Sequence, residues 1–114
     1  MMGRRGGVSG YRLMWMVVMF DLPVASAADR KCYAEFRNML LDNGFSMSQF
    51  SVYCRFCGAR EYAQKYVRLI KVNAPPDGNI IILFFTDKQF AQSIQIIKRE
   101  RVRISEPPEQ LSLF

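Results

Sequence analysis

Two stretches of the chain are apolar without alternation, residues 13–20 (Leu-Met-Trp-Met-Val-Val-Met-Phe) and residues 79–86 around Ile80 to Phe85. Runs of this length and kind predict strands whose two faces are both covered. Asp21, Leu22 and Pro23 close the first run, because proline cannot continue a central strand. The pattern between the two runs changes to a helical period. Ser26-Ala-Ala-Asp29 has the form of a capping box, in which serine and acid satisfy free N–H groups at a helix start. Cys32, Tyr33, Phe36, Met39 and Leu40 then recur at helical spacing, and Asn43-Gly44 ends the helix. Residues 45–56 favour β structure, as one bent strand or as two short strands around a tight turn, and Gly58 breaks them off. Residues 59–72 predict a second amphipathic helix, with Tyr62, Ala63, Tyr66 and Ile70 inward and Arg60, Lys65, Arg68 and Lys71 outward. A Pro-Pro-Asp-Gly turn follows, then the second apolar strand, one helical turn at residues 87–90 and a short strand at residues 92–97.

Strand, helix, one or two strands, helix, strand is the split βαβ plan, provided the middle segment is a hairpin. The expected class is α+β, a ferredoxin-like βαββαβ unit with an antiparallel sheet and its helices on one face. The other face of so apolar a first strand needs a cover, and pairing of two copies through the sheet supplies it. Residues 11–97 make the domain. Residues 1–10, with four glycines and two arginines, read as a flexible basic arm, and residues 98–114 as a basic tail. Leu111, Leu113 and Phe114 end that tail beyond two prolines and suit a strand added to a partner's sheet edge.

Charge narrows the partners. The net charge is +6 with no histidine, which favours polyanions, nucleic acid before an anionic membrane. Arg30, Lys31, Arg60, Lys65, Arg68 and Lys71 are the candidate phosphate contacts, and no base-reading motif accompanies them. Three cysteines, an odd count without a disulfide framework, point to a reducing cytoplasm. Cys54 and Cys57 have zinc-ligand spacing, but only Cys32 remains to help complete four ligands, so they read as strand residues. Arg4-Arg5, the apolar run and Ala25-Ser26-Ala27 imitate a secretory signal, and a secreted basic protein is one alternative. That run is far short of the ~20 residues that span a bilayer.

Certain motifs are familiar in combination: Val17-Val-Met-Phe-Asp21-Leu-Pro23, Arg30-Lys31, Gly44-Phe45 with Gln49-Phe-Ser-Val-Tyr53, Gly78-Asn-Ile-Ile-Ile-Leu83 and Thr86-Asp-Lys-Gln-Phe90. Together they resemble the small CRISPR-associated Cas-two family, in its type II form, over about three-quarters of the chain. The family's usual aromatic after Ser-Val is Phe, and Tyr53 replaces it. The resemblance implies a dimer between copies of the CRISPR integrase, holding double-stranded prespacer DNA during spacer acquisition. It also implies a magnesium-dependent endonuclease using Asp21, with Ser51 in the family's other short signature.

One Asp21 per chain is a thin site for Mg²⁺, but a two-fold dimer would bring one from each protomer to one ion. Asp29 is expected at its helix start and Asp87 at the opposite end of the sheet from Asp21. Scaffolding on DNA is favoured over catalysis. A free-standing toxin-type ribonuclease on the same fold is the further alternative.

Overall fold

The computed structural model describes residues 13–98. Its elements run β1 (Leu13–Asp21), α1 (Ala27–Asp42), β2 (Ser46–Gln49), β3 (Val52–Ala59), α2 (Arg60–Asn73), β4 (Asn79–Thr86) and α3 (Asp87–Ala91). The basic arm, and the tail with Leu111, Leu113 and Phe114, lie outside the described residues. The four strands form one antiparallel sheet in the order β2-β3-β1-β4, the ferredoxin-like arrangement.

Alternation along β1 divides its side chains between two environments. Met14, Met16, Val18 and Phe20 are buried under α1 and α2, where they join Phe36, Leu40, Tyr53, Ala63, Tyr66 and Ile70 in the core. Trp15, Val17 and Met19 face the other side, together with Phe56, Cys54 and Val52 of β3 and Phe85, Leu83 and Ile81 of β4, by register. Neither α1 nor α2 covers this second face. The single turn of α3 reaches one end of it, where Phe90 stacks on Trp15 at 4.1 Å and the Trp15 indole N–H donates to Asp87 at 2.8 Å.

The caps follow the sequence. Ser26 accepts from the Asp29 N–H at 3.0 Å and the Asp29 carboxylate accepts from the Ser26 N–H at 3.2 Å. The middle segment is a hairpin, with Phe50 and Ser51 as its two-residue turn. Arg55 ties three elements together: its Nε donates to the Asn43 carbonyl at 2.7 Å, and its guanidinium lies 4.3 Å from the Tyr66 ring centroid.

Four local expectations change. β3 continues through Gly58 to Ala59 instead of breaking, because a bulge opposite Met14 and Trp15 absorbs the positive φ of Gly58. The second helix begins at Arg60, since Ala59 is still extended. Tyr62 points outward and is 61% exposed, because it sits in the first turn of α2 at the margin of the apolar arc that Ala63, Tyr66 and Ile70 bury. Residues 93–98 form no strand: Gln92 ends α3 in a turn, and nothing among the described residues pairs with the segment that follows.

Candidate functional site

Asp21 is the last residue of β1, exposed, on the face that α1 and α2 leave open. Its register partner is Asn79, the first residue of β4. The strand end is held from behind by Gly78. With φ at +114°, Gly78 approaches so closely that an added Cβ would lie 2.9 Å from the Asp21 carbonyl oxygen and 2.5 Å from Leu22 Cδ2. Only glycine meets both demands.

The hairpin turn brings the second candidate to the same place. Asp21, Asn79, Ser51 and Phe50 line one small hollow of about 220 Å³, with Met19, Phe20, Val52 and Ile81 completing its walls. Two bonds hold Ser51 there. Its carbonyl accepts from the Phe20 N–H at 3.1 Å, and its hydroxyl lies 2.7 Å from the Tyr33 hydroxyl. The Ser51 oxygen is thus already engaged with α1. In the sequence Asn79 only opens the second apolar strand, yet antiparallel pairing of two apolar runs of matching length is enough to put it beside Asp21. Phe50 likewise carries no site signal of its own within the β-favouring segment 45–56.

The cations divide into two groups. Arg60, Lys65, Arg68 and Lys71 are all exposed and fall within an arc of roughly 140° on α2. Lys65 also lies over the Tyr66 ring, 5.2 Å from its centroid. Arg30 and Lys31 are exposed at the start of α1, but the Arg30 guanidinium donates to the carbonyls of Val24 and Ala25, both at 3.1 Å. Arg30 therefore also caps its own loop.

The cysteines do not converge on a metal. Cys54 belongs to the open face and Cys57 is buried in the helix-side core, with burial raising both thiol pKa values above the ordinary range. Among the described residues no group of three or more His, Cys, Asp and Glu side chains is placed to hold a metal ion. The hollow's donors are a carboxylate, an amide and a hydroxyl, all oxygen-bearing. Such a set suits Mg²⁺, which takes one or two carboxylates and fills its remaining positions with water and phosphate. Asp87, bonded to Trp15 at the opposite end of the sheet, contributes nothing to it.

Fold and site define a small ferredoxin-like α+β domain with an exposed carboxylate at the end of its first strand and a cationic helix face. Residues 14–93 match the family of the CRISPR associated protein Cas2, and the chain belongs to that family. Its relatives include a "CRISPR-associated endoribonuclease Cas2" of Paracidovorax avenae, 49% identical over 94% of this chain and 99% of the relative. Proteins of the same name from Flavobacterium psychrophilum and Parvibaculum lavamentivorans are 43% and 40% identical, covering 91% and 89% of this chain and 90% and 100% of their own lengths. No helix among the described residues is long and apolar enough to cross a membrane.

Proposed function

We propose that this Cas2 chain acts in the cytoplasm as a homodimeric scaffold on double-stranded prespacer DNA, joining subunits of the CRISPR integrase during spacer acquisition. Phosphodiester cleavage at Asp21 is its accessory chemistry. The observation that carries this reading is the position of Asp21, exposed at the rim of an apolar sheet face that α1 and α2 leave uncovered. A second copy seated on that face would bring a second Asp21 towards the first. The cations of α2, with Arg30 and Lys31, supply phosphate contacts that do not read bases.

Asp21 from each protomer would hold Mg²⁺, with Asn79 beside it. The cation, when bound, supplies charge neutralisation at the phosphate and a more acidic water. The chain's own part is positional. Gly78 fixes the strand end, and Ser51 and Tyr33 brace the hairpin turn beside the carboxylate. The relatives' shared name favours a second reading, in which the chain is an endoribonuclease.

Asp21→Asn separates the two. It keeps the side chain's shape and removes its charge. The scaffold reading expects duplex binding and integration to survive while Mg²⁺-dependent cleavage of DNA or RNA is lost. Log affinity for duplex should fall linearly with log salt, with a slope of about −0.9 per neutralised phosphate. Abolished integration with intact dimer and intact DNA binding would overturn the scaffold reading. RNA cleavage lost with no measurable duplex affinity in the wild type would establish the ribonuclease in its place.

A further inference from the structure

We propose that Phe50 and Tyr33 form a stacking platform for one unpaired nucleobase beside the Asp21 hollow. The inference rests on the reading above that Asp21 works on nucleic acid, and it goes further by selecting unpaired nucleotides over intact duplex.

Phe50 stands at the tip of the β2–β3 hairpin and is 81% exposed. A phenylalanine so placed contributes little to the core, and a polar residue would serve a two-residue turn better. Its ring is nevertheless backed. It lies against the Tyr33 ring, with centroids 6.1 Å apart and planes within 23°. Tyr33 is in turn fixed by its hydroxyl contact with Ser51 at 2.7 Å and by packing against Phe20 at 5.6 Å. The pair therefore offers a flat aromatic face whose order is set before any ligand arrives. Because that order is already in place, less conformational freedom is lost on binding.

Three features point to a nucleobase as the occupant. The hollow that Phe50 shares with Asp21 and Asn79 holds about 220 Å³, small for a peptide side-chain cluster and shaped by a ring at one edge. The same hollow is lined by the Asp21 carboxylate and the Asn79 amide, so a base stacked on Phe50 would lie beside the residue proposed to act on its backbone. Arg37, exposed one helical turn beyond Tyr33, adds a cation on the same flank of α1, where a neighbouring phosphate would pass. Every base has a face to stack, so the platform tolerates sequence. A blunt duplex offers that face only at its ends.

The test uses the full-length chain with 2-aminopurine oligonucleotides, as single-stranded DNA, single-stranded RNA and blunt duplex DNA. Wild-type protein should quench the single-stranded probes on binding. Phe50→Ala should lose the quenching and weaken single-strand affinity about tenfold, while duplex affinity stays within twofold. Phe50→Trp should restore both, and Asp21→Asn should quench like wild type while failing to cleave. Unchanged affinity and quenching in Phe50→Ala would overturn the platform and leave the reading of Asp21 standing. Conversion of Phe50→Ala to a monomer in light scattering would also overturn it, since the ring would then be a contact between copies. A wild-type chain that binds none of the three probes would sink the nucleic-acid reading itself, and the platform with it.

Discussion

Ser51 holds φ at +65°, the one positive value among the described non-glycine residues, at a turn where glycine or asparagine would be usual. Left-handed backbone costs an L-residue about 1–2 kcal/mol, and the contact with the Tyr33 hydroxyl returns about 1 kcal/mol. Two substitutions separate these effects. Ser51→Ala keeps the strained backbone and loses the contact, so it should destabilise by about 1 kcal/mol and lower the melting temperature by about 4–8 °C. Ser51→Gly loses the contact but relieves the backbone, and its stability should stay near wild type in the same melt. If the hydroxyl is a brace rather than a reacting group, Ser51→Gly also keeps any cleavage activity. Equal loss of activity in both variants, with Ser51→Gly as stable as wild type, would assign Ser51 a chemical role. This residue also shows where sequence stops being legible. The turn carries neither glycine nor asparagine, because the forces that hold it come from α1 and β1, far away along the chain.

Elements with local signals were readable: the capping box of α1 and the period of α2 are both written within a few residues. Hairpin or single strand was undecidable over residues 45–56, since the choice depends on which neighbour pairs with which edge. The strand expected at residues 92–97 failed for the complementary reason. Alternating residues make a strand only beside a partner, and there is none among the described residues. β3 carries a testable consequence of burial. Its two thiols have pKa values raised by desolvation, so the folded chain holds those protons more tightly than the unfolded chain does. Stability from this source is complete below the free thiol's range and is lost as pH rises above about 8.5, where the unfolded chain ionises first. Urea unfolding should therefore give a lower midpoint at ~pH 9.5 than at ~pH 7.5, with Tyr53, raised by the same cause, extending the decline at higher pH. Cys57→Ala should flatten the slope between those pH values, and an unchanged slope would assign the loss to other groups.

At the scale of the whole molecule, the sheet is finished on one side only. Phe56, Met19, Ile81 and Leu83 of the open face are each between 38% and 45% exposed, and Val17 lies between Cys54 and Leu83 by register. Contiguous apolar surface beyond a few hundred Å² is rare on a monomer, so a second copy is the expected cover. Light scattering at micromolar concentration should give twice the 13.2 kDa chain mass. Leu83→Glu puts a charge in the centre of that face without touching the helix-side core, and it should yield a folded monomer with unchanged far-UV circular dichroism. A wild-type monomer would refute the pairing, and a dimeric Leu83→Glu would move the interface elsewhere. If the pair does form, its two-fold axis makes the Asp21 site depend on both copies, which mixing can measure. Equal amounts of wild type and Asp21→Asn, left to exchange subunits, place two native aspartates in about a quarter of the dimers. Mg²⁺-dependent cleavage should then fall to about a quarter if both carboxylates serve one ion, and only to about a half if each protomer acts alone. The half value would show that a single Asp21 with Asn79 and water suffices, and that the dimer serves the DNA and not the cleavage.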